Sequence, residues 1–362
     1  MKKFFLTVLL GCSLSAFATD PYFSQATAHV DFGGEALQYQ NMSILTAELN
    51  SALPELCAAI AKNEKSARLA NDVAITLLKL LDLPSIRAIA NSSKQVEPGT
   101  FICKQAIIFA PDTKSLLTTP GAKNRILNWQ SLPADTLGAF EADLDLPYAW
   151  NRIKSELAAS DNPDFQKLVA KIAELKNNGT DIDAVLNSIK GRLSLLVTGK
   201  TIQNLNFKLE VPDQNGLLSA SMKNMFPPKA GSNVFEMPQS NGVIQVIYAE
   251  KSIIVVSDPQ LLAPPAQALG ALPQFRKYAK YLPQSGEGYV IVNMSQETVN
   301  FIKSANQELP FALKPFTFIA VGSKIQSGEK ITIASDFSLL RLQIMGPLMQ
   351  IKALQKAGVF NK

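Results

Sequence analysis

The chain has 362 residues, a formal net charge of +5, 47% hydrophobic residues and 18% charged residues. That balance can bury a core and excludes a disordered chain, and the length fits one or two domains. The basic residues are scattered, and loss of Lys2 and Lys3 with a leader lowers the charge from +5 to +3, which excludes a nucleic-acid binder built on a basic stripe.

Residues 1–18 read as a signal peptide: Lys2 and Lys3 precede an apolar run from Phe4 to Phe17, and Ala16-Phe17-Ala18 supplies the small residues of a cleavage site. The mature chain is then expected to begin near Thr19, in the periplasm or secreted. A competing reading takes Leu9-Leu10-Gly11-Cys12 as a lipobox that would leave the protein lipid-anchored at Cys12. The short leader looks bacterial, so the Asn-x-Ser/Thr sites at Asn41, Asn91, Asn178 and Asn293 are expected to be unmodified. No later segment offers about eighteen consecutive apolar residues, so no transmembrane span is expected once the leader is removed.

The mature chain opens with Ala28-His29-Val30-Asp31-Phe32, whose alternation predicts a strand, and a helix is expected from Glu35-Ala36-Leu37. Helical spacing follows at Ile44, Leu45, Leu49 and Leu53, and again at Val73, Leu77, Leu78 and Leu81. Ser85 to Val96 and Thr100 to Ala110 read as a hairpin around Glu97-Pro98-Gly99, since proline fixes one torsion and glycine accepts positive φ. Leu132-Pro133 then introduces a strand over Gly138–Leu144 and a helix through Tyr148-Ala149-Trp150 and Ile153-Lys154-Ser155. A second helical run carries Phe165, Leu168, Val169, Ile172 and Leu175.

Residues 212–240, rich in Pro, Gly, Asn and Ser, read as a linker or long loop. Beyond it, Gly242 to Tyr248 and Ser252 to Ser257 form a hairpin, and Phe316 to Lys324 is expected to pair with Lys330 to Phe337. Between them Leu282-Pro283, the strand Gly288–Met294 and Ile302-Lys303-Ser304 echo the Leu132-Pro133 unit, which reads as an internal repeat. The last amphipathic stretch, from Leu339 through Met345 to Leu354, contains Gly346-Pro347 and should kink there. The expected fold is mixed α+β. Two related modules, 19–211 and 241–362, would each form a mainly antiparallel sheet covered by helices and would pack side by side.

Motifs for chemistry are sparse. Glu141, Asp143 and Asp145 share one face of a strand and could stack around calcium, yet the second copy has Ile291, Asn293 and Ser295 there, so a solvated face is the expectation. Asp31, Asp143 and Asn293 end strands and are expected to serve turn geometry, with Asp145 or Ser295 capping the helix that follows. Asp181-Ile182-Asp183 reads as a helix start, not half of a calcium loop. Gly199-Lys200-Thr201 lacks the first glycine of a phosphate loop, and Ser327-Gly328-Glu329-Lys330 has the Ser-x-x-Lys spacing but fits a hairpin turn. His29, the only histidine, could act as a general base only for a residue far away in sequence. Trp129, Trp150 and Tyr148 could stack a ligand but are expected in the core. Cys57 and Cys103 are the candidate disulfide in an oxidising compartment.

Leu132-Pro133-Ala134-Asp135-Thr136 leading to a strand that ends in Asp143 and a helix, with the echo at Leu282-Pro283 and the hairpin from Ser85-Ile86 to Phe109, resembles a group of exported bacterial proteins of unknown function. The second copy departs from it, with Gln284-Ser285-Gly286 in place of Ala-Asp-Thr. The resemblance implies no activity, catalytic residue or cofactor. The sequence therefore predicts a non-enzymatic envelope protein that binds a partner protein, lipid or polymer, through a groove or apolar patch between modules. The alternative is an envelope hydrolase whose nucleophile no spacing reveals, with His29 and Asp143 as its first candidates.

Overall fold

The computed structural model describes residues 20–60, 63–113, 122–177, 181–199, 204–239, 242–305 and 314–339. The expected leader with Cys12, the sequon at Asn178, Lys200-Thr201 and the terminal stretch around Gly346-Pro347 lie outside them. The described chain is mixed α+β and is organised around one large antiparallel sheet.

The first element departs from expectation. Asp20 accepts a hydrogen bond from the Tyr22 amide at 2.9 Å and Pro21 occupies the first turn, so helix α1 spans Pro21–Thr27. The strand comes later, as β1 (Ala36–Asn41), where a helix was expected. Tertiary partners decide this: β1 pairs along Ala88–Ser93, while Tyr39 and Asn41 both donate to Asp20 Oδ2, at 2.6 and 2.7 Å. Helices α2 (Met42–Ile60) and α3 (Glu64–Leu80) follow and touch each other, then β2 (Ile86–Glu97) and β3 (Thr100–Phe109). Gly99, with φ of +70°, makes the expected turn between these two strands.

The short strand β4 (Arg125–Ile126) precedes β5 (Thr136–Asp145), and three helices follow: α4 (Leu146–Ala158), α5 (Pro163–Asn177) and α6 (Ile182–Ser188). Asp145 caps α4 through the Tyr148 amide at 3.0 Å, and Asp181 caps α6 through the Ala184 amide at 2.9 Å. Strands β6 (Lys190–Thr198) and β7 (Asn206–Pro212) come next. The expected linker at 212–240 instead holds helix α7 (Leu217–Met225) and edge strand β8 (Val234–Gln239). There the Asp213 carboxylate accepts from the Leu218 and Ser219 amides at the start of α7, a local interaction that a composition rich in Pro, Gly, Asn and Ser does not display.

The chain continues through β9 (Gly242–Tyr248), β10 (Ser252–Val256), α8 (Pro273–Ala279), β11 (Ser285–Gly286), β12 (Gly288–Met294), α9 (Gln296–Ala305), β13 (Phe316–Ile325) and β14 (Gly328–Ser335). Twelve strands hydrogen-bond in the order β1-β2-β3-β14-β13-β12-β5-β6-β7-β10-β9-β8, and β4 pairs separately with β11. From the β5/β12 seam the order reads alike in both directions: three strands, with helical structure after the first, then three more in reverse chain order. The first meander, β1–β3, joins the last triplet through β14, and the second, β8–β10, joins the first triplet through β7. The ranges 19–211 and 241–362 therefore share one sheet instead of closing two.

The sheet has two unlike faces. On the packed face Ala139, Ile291, Ile319, Val321 and Ala334, at most 5% exposed, pack with Trp129, Leu269, Phe275 and Tyr278 from the segments crossing that side. The opposite face is seated on helices at its two ends. Met42 of α2 packs with Ile86 and Phe109 at one end, and Leu218 and Met222 of α7 pack with Val246, Tyr248 and Ile253 at the other. Contacts run helix to helix from α2 through α3, α4 and α6 to α7.

Between those ends lies an apolar sheet surface. Strand alternation puts Phe140, Leu195, Leu209, Val290, Ala320 and Ile333 in one row across β7, β6, β5, β12, β13 and β14. They are half-buried except Leu195, which is 38% exposed, whereas their packed-face neighbours along β12 and β13 are buried.

Candidate functional site

The sequence candidates do not converge. On the packed-face side, Glu141 meets Arg192, Asp143 meets Arg125, and Asp145 meets Lys190 at 2.8 Å. Each carboxylate of that row is thus engaged by its own cation. Asp31 pairs with Lys104 at 2.6 Å. Asn293 is a cross-strand tie, not a turn residue: it donates to the Thr136 carbonyl at 3.1 Å and accepts from Thr317 Oγ1 at 3.2 Å. Ser295, as expected, receives the Thr298 amide at 3.2 Å at the start of α9.

His29 sits in the turn after α1, where burial first and then the Lys330 charge hold its pKa below the ordinary imidazole value. His29 lies near Lys330 of β14, whereas Asp143 of β5 pairs with Arg125 of β4, so the two candidates engage different partners. Trp129 is buried in the core, and Trp150 donates to Asp183 Oδ1 at 2.6 Å beside Lys154. Ser327 lies in the β13–β14 turn. Cys57 on α2 and Cys103 on β3 are both buried and both free; no bridge joins them, and the Cys103 thiol instead faces Ser93 Oγ at 3.5 Å.

The structure assembles clefts that the sequence did not reveal, one between α3 and the α4–α5 turn and another on the packed face of the sheet. Pairing aligns Tyr289, Glu141, Ser194 and Glu210 across β12, β5, β6 and β7 on the packed face, and Lys208 lies two residues from Glu210 on the same side. These five side chains floor a cavity of about 250 Å³, walled by Ser131, Leu132, Pro133, Leu261, Ala263 and Pro265. The walls come from the two segments that enter β5 and leave β10, so the cleft exists only because the strand triplet and the second meander meet.

Its electrostatics are mixed. Burial raises the Glu141 pKa, the Arg125 charge opposes that, Tyr289 donates to Glu141 at 3.5 Å, and the Asp143 and Glu210 charges add to the rise. The Tyr289 hydroxyl is pushed up by burial and by Glu141. Glu210 accepts from Ser252 Oγ at 3.2 Å, and Lys208 forms no ion pair among the described residues. A second acidic pair stands at the end of the central strands. Glu329 of β14 lies opposite Lys324, and burial followed by the Glu287 charge pushes its pKa up to about 7.

Among the described residues no cluster of His, Cys, Asp and Glu is arranged to hold a metal ion, and no helix is long and apolar enough to cross a membrane. No protein-family model matches the chain, and no curated protein matches it.

Proposed function

We propose that this chain is a non-enzymatic binding protein of the bacterial envelope, periplasmic or secreted, whose ligand is a lipid acyl chain held against the open face of the sheet. The observation that carries the reading is the row Leu209-Leu195-Phe140-Val290-Ala320-Ile333, apolar on six adjacent strands and only half-buried apart from the exposed Leu195. A sheet face with no ligand would gain about 25 cal/mol for each Å² of apolar area it covered. The surroundings are apolar too: Leu69, Val73 and Leu77, one turn apart on α3, are 40–51% exposed, as are Ile44 and Leu56 on α2 at 62% and 53%.

The reading is tested by titrating the mature protein with a fluorescent fatty acid and competing with phospholipid. Saturable binding, displaced by lipid and weakened at least tenfold by Leu195→Asp, supports it. Leu195 is exposed enough for the variant to fold, so unchanged probe affinity in a folded variant would rule out this face.

A further inference from the structure

The cleft on the packed face has a counterpart across the β5/β12 seam that is filled. Stepping outward from β12 as from β5, the positions matching Glu141, Ser194, Glu210 and Lys208 are Ile291, Ile319, Ala334 and Thr332. These four are at most 2% exposed, whereas the polar four are half-buried beside an open cavity. At these four positions the scaffold therefore packs without charge on one side of the seam and places charge beside a cavity on the other. Charge in a half-buried site costs desolvation that an apolar floor avoids. Glu141 has Arg192 as its partner, whereas Glu210 and Lys208 form no ion pair among the described residues, and a ligand that carries both signs of charge would satisfy them.

We propose that this cleft binds a small zwitterion of amino-acid size, with its acid group on the Lys208 ammonium and its amine on the Glu210 carboxylate. The floor offers both signs of charge on residues whose Cα atoms are roughly 7 Å apart along β7, which suits a molecule carrying both over a plain anion or cation. Glu141 is already taken by Arg192, leaving Glu210 as the acidic contact. The Ser131 and Ser194 hydroxyls can hydrogen-bond a polar substituent, and Leu132, Leu261 and Pro265 can cover an apolar one. A volume of about 250 Å³ holds roughly eight water-sized groups at about 30 Å³ each. A sugar fits less well, because Tyr289 and Trp129 are 5% and 1% exposed and present no open ring for stacking.

The test is calorimetric and NMR titration of the mature chain with D- and L-alanine, methylammonium, acetate and glucose. Saturable binding of at least one alanine enantiomer is expected, with methylammonium and acetate at least about tenfold weaker. Glu210→Gln, which preserves shape and the acceptor for Ser252, and Lys208→Gln should each weaken alanine binding about tenfold or more, the effect of losing one charge-assisted hydrogen bond. Circular dichroism confirms that each variant is folded, and Lys208→Met replaces Lys208→Gln if the latter is not. Absence of saturable alanine binding, glucose binding as tight as alanine, or unchanged affinity in both folded variants overturns the proposal. The cleft and the apolar row lie on opposite faces, so acyl-probe binding should be indifferent to these substitutions, and either idea can fail alone.

Discussion

Replacing Glu329 by Gln should remove a pH dependence of stability that this one carboxyl creates. Its pKa moves from an ordinary value of 4.5 to about 7, first through burial and then through the Glu287 carboxylate, with Lys324 opposing. At 1.36 kcal/mol for each tenfold change, ionising the folded group costs ~3 kcal/mol more than ionising the unfolded one. Glu329 is half-buried, and solvent screening reduces that to ~1–2 kcal/mol. Between pH 4.5 and about 7 the folded protein holds this proton and the unfolded chain has released it. Stability from this source is complete below pH 4.5 and is lost as pH rises through about 7. Urea denaturation of wild type and Glu329→Gln at about pH 5 and about pH 8 should therefore show the variant gaining ~1–2 kcal/mol relative to wild type at the higher pH. Parallel stability curves would refute the burial of this carboxyl and its coupling to Glu287.

Three further substitutions test the scaffold. Gly288→Ala should destabilise by ~1–3 kcal/mol, because a Cβ there would lie 2.1 Å from the Glu141 carbonyl oxygen and force β12 away from β5; thermal melting checks this, and a wild-type midpoint would contradict the tight seam. Asp145→Ala removes the cap of α4 and the partner of Lys190 and should cost ~1–2 kcal/mol by urea denaturation. Asn293→Ala leaves the Thr136 carbonyl and Thr317 hydroxyl without this tie and should cost ~1–2 kcal/mol, with faster amide exchange at the β5/β12 seam than elsewhere as its specific signature.

Local chemistry made much of the chain legible in advance. Turn residues placed β2/β3, β9/β10 and β13/β14, apolar spacing placed α2, α3 and α5, and short polar side chains marked the caps at Asp145, Asp181 and Ser295. These are interactions between residues close in sequence, which a sequence displays directly. The failures occurred where a local cap went unread or a distant strand decided. Ala28–Phe32 alternates like a strand, but the capping of α1 by Asp20 and the pairing of β1 with β2 place the strand at Ala36–Asn41. Residues 212–240 look like loop by composition, yet Asp213 starts α7 and β9 recruits β8 as an edge strand.

By itself, then, the sequence determined the α+β class and most hairpins and caps, because each follows from spacing or from a turn. Only the tertiary structure decided that the two meanders cross to the opposite strand triplets and make one sheet, since strand order is a matter of long-range hydrogen bonding. The same pairing sets Glu141, Ser194, Glu210, Lys208 and Tyr289 side by side from four strands. Up to 148 residues separate a hydrogen-bonded pair within that cleft, a distance over which no sequence pattern signals proximity. It also leaves the Phe140 and Leu195 face half-covered. Alternation says that such residues share a face, but only the tertiary structure shows how far that face is buried.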